Sequence, residues 1–197
     1  MDGRSTKHRA TTAATVAFAS KGVAGTSLDG LAGELGVTKQ SILYHFGSKE
    51  GLLAEVLETA AYDLLEVLDQ VTAASPPGWD RVEATVRAMF ALAVRRPELL
   101  GLLREVNRLG PPYSRPIIAV LQPTVDSAIG HLEQAMLNDT FRRSDPRLVL
   151  VSAYAVVTGA VGDVEVLRAV GLEVDIRLAV QVRRTVLGFL RAALLAQ

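Results

Sequence analysis

The stretch Thr26–Glu50, TSLDGLAGELGVTKQSILYHFGSKE, decides how the rest of the chain is read. A hydroxyl at Thr26 or Ser27 can accept from the amides that open a helix and have no partner within it. Asp29 lies three residues after Thr26, in capping-box spacing, and puts negative charge at the positive end of the helix dipole. Leu28, Leu31, Ala32 and Leu35 recur at helical spacing and form one apolar face. Gly36 is the expected stop, because a sharp exit from a helix needs a left-handed residue and glycine has no Cβ to oppose it. Val37 fills the turn, Thr38 caps a second helix, and Ile42 and Phe46 point inward from it. That leaves Lys39, Gln40, Ser41, Tyr44 and His45 on the outer side. Ser48 then caps a third helix, with Lys49 in its first turn.

The outer set consists of donors, acceptors and one cation, without an acid among them. Such side chains on a helix in the major groove can meet base edges and phosphate oxygens. Three packed helices with idle polar surface would not need this selection. Lys49 sits where the dipole disfavours a cation, but free amides and a lysine together suit a phosphate. His45 reads two ways, as an outward contact or as a half-buried structural residue beside Phe46.

The segment GVTKQSILYHFGSKEGLL resembles the DNA-binding domain of the TetR family of one-component transcriptional regulators, through Gly36, Val37, Lys39, Tyr44, Phe46, Ser48, Lys49, Glu50 and Leu53. The likeness is specific over residues 8–57, and beyond them only the helical layout agrees. It implies an all-α chain with a three-helix DNA-binding domain over residues 1–50 and a helical ligand-binding and dimerisation domain over 51–197. The DNA-contacting set it implies is Thr26, Ser27, Thr38, Lys39, Gln40, Ser41, Tyr44, His45 and Lys49. Leu43 departs from the pattern, since many members carry there a tyrosine that touches the DNA backbone; Tyr44 is placed to substitute. Gly30 and Gly33 also depart, each costing about 1 kcal/mol against alanine inside a helix.

With 197 residues, 49% of them hydrophobic, the chain can form one or two helical domains with sizeable cores. No apolar run approaches the roughly 18 residues that span a bilayer, and MDGRSTKHR has no apolar leader region, so cytoplasmic residence without a membrane partner is expected. The absence of cysteine removes disulfides, thiolate metal sites and thiol nucleophiles. The net charge of zero averages two unlike regions. Residues 1–50 hold Arg4, Lys7, Arg9, Lys21, Lys39 and Lys49 against Asp2, Asp29, Glu34 and Glu50, a net of +2, and contain all four lysines. Contact with a polyanion is a physical reason for cations there.

About nine helices are expected. The first spans about Thr6–Lys21 and turns Ala10, Ala14, Ala17 and Phe18 inward, with Arg4 and Lys7 forming a basic arm. The helix capped by Ser48 continues through Leu53, Val56, Leu57, Leu64 and Val71. Asp80 reads as the cap of the next, with Glu83 completing a capping box, and Pro97 opens another. GPPYSRP reads as a rigid loop, and Pro123 should kink the following helix or break one of its hydrogen bonds. Asp145 caps the eighth helix and the ninth begins about Asp175. Those last two carry more apolar surface than one intramolecular face requires, which predicts a homodimer built on a four-helix bundle, with Val186 and Leu187 at its interface.

His8, His45 and His131 are isolated, and no pair shares a helix face at metal-ligand spacing; a catalytic function, a metal and a cofactor are therefore not expected. The resemblance implies a small-molecule effector within residues 51–197. Arg104, Asn107, Arg108, Tyr113, Asp126 and Tyr154 are the polar candidates to meet it, and Phe90 is either pocket wall or core. The expectation is a homodimeric repressor released from a near-palindromic operator by a mostly apolar ligand. An activator, a partner-regulated DNA-binding protein and a helical small-molecule carrier are the alternatives.

Overall fold

The computed structural model describes residues 3–162, 164–173 and 175–195. Its elements are ten helices: α1 Gly3–Lys21, α2 Leu28–Leu35, α3 Lys39–Phe46, α4 Lys49–Ala74, α5 Trp79–Arg95, α6 Glu98–Leu109, α7 Pro111–Leu137, α8 Pro146–Gly162, α9 Val164–Ala169 and α10 Ile176–Leu194. Among the described residues no strand forms; Phe141 and Leu195 make one isolated bridge. The all-α expectation holds, with the short α9 added to the nine helices read from the sequence.

Several helix boundaries differ from the sequence reading for identifiable reasons. α5 starts at Trp79 from Gly78, and no side chain caps it. Glu83 does not close a capping box with Asp80; its carboxylate accepts from Trp79 Nε1 at 3.0 Å and from Arg87. α7 takes in the expected GPPYSRP loop from Pro111 onward: Pro111 and Pro112 fall in its first turn and lack only amides that would have no helical partner there, and Pro116 lies within the helix without ending it. Pro123 lies within α7 without ending it. Asp175 does cap α10, accepting from Leu178 N at 2.7 Å, and Asp145 Oδ1 accepts from Arg147 N at 2.9 Å before α8.

Packing divides the chain into two compact units, one made of the residues up to Leu64 together with Pro97–Val120, the other of Leu65–Arg96 together with the residues from Leu121 on. In the first, Phe18, Ile42, Leu52, Leu53 and Val56 are fully buried at the centre. Burying each such side chain contributes about 1.5–3 kcal/mol. Leu102 and Val106 of α6 belong to the same core, so α6 packs with the helix-turn-helix although the sequence assigned it to the second functional region. The approach of α6 to α1 is close: a Cβ on Gly101 would lie 2.7 Å from the Ala19 carbonyl oxygen.

The second unit has two apolar clusters. Val86, Phe90, Val157, Val186 and Leu190 form one, and Leu132, Ala135, Met136, Phe141 and Leu194 the other. Phe90 is thereby core, and so are the expected interface residues Val186 and, partly buried against it, Leu187. On these two helices the large apolar side chains left exposed are others: Leu148, Val151 and Tyr154 on α8, Val180 and Phe189 on α10.

Candidate nucleic-acid interface

Ser27, not Thr26, caps α2: its Oγ accepts from Gly30 N at 3.0 Å. Thr26 is 5% exposed and donates its hydroxyl to the Gly22 carbonyl at 2.8 Å, which removes its side chain from the surface. With the cap one residue later, Asp29 falls short of capping-box position. It pairs instead with Lys39 Nζ at 2.8 Å, linking α2 to α3. At the other end of α2, Gly36 adopts φ 66° and its amide donates back to Ala32 and Gly33, as a left-handed helix exit requires.

Thr38 caps α3, its Oγ1 accepting from Ser41 N at 3.1 Å and lying 3.0 Å from Ser41 Oγ. Ser41 is half-buried by this arrangement, while Ile42 is fully buried and Leu43 and Phe46 pack on the same core. The outer surface of α3 is therefore Thr38, Lys39, Gln40 and Tyr44. Tyr44, 86% exposed, is the most exposed large hydrophobic side chain among the described residues. Leu43 turns into the core, so Tyr44 alone offers a phenol here. His45 is half-buried, edge-on to Tyr44 at 5.3 Å and to Phe46 at 6.1 Å between ring centroids.

Lys49 does other work than expected. Its Nζ donates to the carbonyls of Val23 at 2.7 Å and Thr26 at 2.9 Å, so it ties the start of α4 to the turn that leads into α2. Two of its three donors are engaged there, and the α4 start is capped by Ser48 Oγ, which accepts from Gly51 N at 3.0 Å. Lys7 is likewise not part of a loose basic arm; it lies in α1 and pairs with Glu55 at 2.7 Å. The Arg4 side chain lies outside the described ones. Arg9 adds a third tie, its guanidinium donating to the Leu35 carbonyl at 2.7 Å.

The reading of the sequence missed Glu105. It is 7% exposed, yet ionised: its Oε1 accepts from Val23 N at 2.6 Å, and the Arg108 guanidinium donates to both oxygens at 2.7 and 2.8 Å. The Arg108 hydrogen bonds, and then the Val23 amide, outweigh burial and hold the carboxyl at about 2. A Glu–Arg pair three apart on a helix is too common a pattern to have marked this one.

The expected effector residues do not form one group. Arg104 and Arg108 share an open cleft of about 440 Å³ with Lys21, Gly22, Gly101 and Glu105 in the first unit. Arg108 is committed to Glu105 there. Asn107 is exposed and Tyr113 packs against the first core. Asp126 is exposed and accepts from Gln122, and Tyr154 is 51% exposed. Among the described residues, no group of three or more His, Asp or Glu side chains is placed to hold a metal ion, and no helix is long and apolar enough to cross a membrane.

Known proteins agree with this geometry. Residues 10–56 match the family described as bacterial regulatory proteins, tetR family. Over 102 residues the chain is 34% identical to the HTH-type transcriptional repressor SCO4008 of Streptomyces coelicolor, a match that takes in 52% of this chain and spans only about half of that relative, 50% of its length. The ketosteroid transcriptional regulator KstR2 of Mycobacterium tuberculosis has a similar fold, with a TM-score of 0.78 at 19% identity over 97% of this chain and 95% of that one. A transcriptional regulator from Saccharomonospora viridis, solved in complex with choline, is similar at a TM-score of 0.80 and 15% identity over 98% and 100%. Residues 10–56 thus form a helix-turn-helix segment that matches the tetR family of bacterial regulatory proteins, and the helical frame around it has the fold of solved transcriptional regulators.

Proposed function

We propose that the chain is a cytoplasmic transcriptional repressor that binds a near-palindromic operator as a homodimer and is released by a small, mostly apolar effector. The observation that carries the DNA reading is the outer face of α3, where Thr38, Lys39, Gln40 and Tyr44 stand exposed with no acidic side chain among them. In this division of labour residues 1–50 meet DNA, and residues 51–197 supply the effector site and the dimer contact. The dimer reading draws support from Leu148, Val151 and Tyr154, which leave α8 with an uncovered apolar face, and from the exposed Phe189 of α10 in the same unit. Two copies pairing about a two-fold axis would offer two α3 helices to a two-fold-symmetric duplex, whose successive major grooves lie roughly 34–36 Å apart or somewhat more. Selection of duplexes from a random pool by the purified chain tests this: the reading expects a two-fold-symmetric consensus and binding that weakens steeply with salt. Failure to enrich any sequence would sink it and favour a helical small-molecule carrier.

A further inference from the structure

We propose that Glu105 of α6 is a positioning residue for DNA binding, holding the turn that aims the helix-turn-helix; this rests on the DNA-binding reading of α3. The turn between α1 and α2 has Val23 near its start, and both polar backbone groups of Val23 are taken by side chains from distant helices. Glu105 Oε1 accepts the Val23 N–H at 2.6 Å, from 82 residues away in sequence, and Lys49 Nζ donates to the Val23 carbonyl at 2.7 Å. Lys49 also donates to Thr26 O at 2.9 Å, and the Thr26 hydroxyl closes the turn onto Gly22 at 2.8 Å. Ser27, the next residue, caps α2, and α2 leads through the Gly36 turn into α3.

The turn is thus fixed by a carboxylate from α6 on one side and an ammonium from α4 on the other. Arg108 forks onto both Glu105 oxygens and leaves the carboxylate one orientation. Glu105 is the buried member of this pair and Arg108 the exposed one, so it is the carboxylate that discriminates between geometries: displaced from Val23 N–H and the guanidinium, it would be a buried charge left unmatched. Its natural effect is on the angle at which α2 and α3 leave α1.

The test uses the full chain and a duplex that the wild-type protein has selected from a random pool. Glu105→Ala is expected to lose at least about tenfold in affinity at a temperature where circular dichroism shows it fully folded. Glu105→Gln still presents an oxygen to Val23 N–H and to one Arg108 N–H but sets its NH2 against the other, so it is expected to lose affinity by only about threefold, less than the alanine variant. Hydrogen exchange should quicken at Val23–Ser27 in Glu105→Ala and stay unchanged in Leu178–Leu190. Where Glu105→Ala does not fold, Glu105→Asp, which keeps the charge but withdraws it by one methylene, takes its place with the same expected loss. Wild-type affinity in the alanine or aspartate variant overturns the proposal, as does a glutamine variant that falls as far as alanine. A wild-type protein that selects no duplex overturns the DNA-binding reading itself.

Discussion

The outer face of α3 and the outer face of α8 are both exposed, yet their chemistry is opposite. α3 shows water Thr38, Lys39, Gln40 and Tyr44; α8 shows it Leu148, Val151 and Tyr154, and at the edge of the buried side of α10 Phe189 is 60% exposed. A polar face is content in water and gains from a partner only by matched hydrogen bonds and released counterions, so its binding is specific and salt-sensitive. An apolar face is unfavourable in water until something covers it, and its binding is driven by area. The first therefore suits a polyanion and the second a copy of the same apolar surface.

The comparison breaks most visibly if the apolar faces are charged. Val151→Asp combined with Phe189→Asp should leave a folded monomer, since both side chains already face solvent. Losing the second recognition helix should lower affinity for a symmetric duplex about a hundredfold or more. Light scattering and gel shift read the two effects together. A double variant that remains a dimer would place the subunit contact elsewhere.

On the polar side, Gln40→Ala should relax preference at one or two base pairs by about 1–3 kcal/mol. Lys49 sharpens the distinction between touching DNA and shaping the surface that does. Because its Nζ is bonded to Val23 O and Thr26 O, Lys49→Met should lower the melting temperature as well as DNA affinity. The slope of log affinity against log salt should stay as in the wild type. A slope smaller by about 1 would instead restore the phosphate contact that the sequence suggested.

These residues also show what the sequence could and could not reveal. Gly36, Thr38, Ile42 and Phe46 were legible because local rules govern them: a left-handed exit, an N-cap and an apolar face at helical spacing. Thr26 and Ser27 were open alternatives, since either hydroxyl can cap, and tertiary packing made the choice by burying Thr26. Lys49 and Glu105 were beyond reach because their partners lie 26 and 82 residues away. The apolar surplus of the last helices was legible, but the exposed side was not: α8 and α10 are apolar on several faces, and packing against α5 decided that Val186 and Leu187 turn inward. The effector residues had no local rule at all, and their scatter reflects that.

Glu105 gives the first unit a pH dependence of its own. Its carboxyl is held at about 2 in the folded chain against an ordinary 4.5, chiefly by the Arg108 hydrogen bonds. A lowered folded value means that the unfolded chain takes up the proton first as acid is added. The stabilisation is complete above about pH 4.5 and is lost progressively as the pH falls toward about 2. Urea midpoints at about pH 5 and about pH 3 should therefore differ more in the wild type than in Glu105→Gln, which has no proton to take up at this position. Equal differences in the two proteins would mean that other carboxylates govern acid unfolding.

The smallest effect expected comes from two glycines three residues apart in the support of the polar face. Gly33 is exposed within α2, and a Cβ there would meet nothing within 4 Å, so Gly33→Ala should stabilise by about 1 kcal/mol and raise the melting temperature by about 2–4 °C. Gly36 has equally open space but φ 66°, a conformation in which a Cβ crowds the carbonyl that follows it. Gly36→Ala should therefore destabilise by about 1 kcal/mol and loosen the turn between α2 and α3. Neither side chain reaches DNA in this scheme, so Gly33→Ala should leave sequence preference unchanged, whereas Gly36→Ala should weaken binding by disordering α3. If both substitutions shift the melting temperature in the same direction, local backbone conformation is not what sets the geometry of the recognition helix.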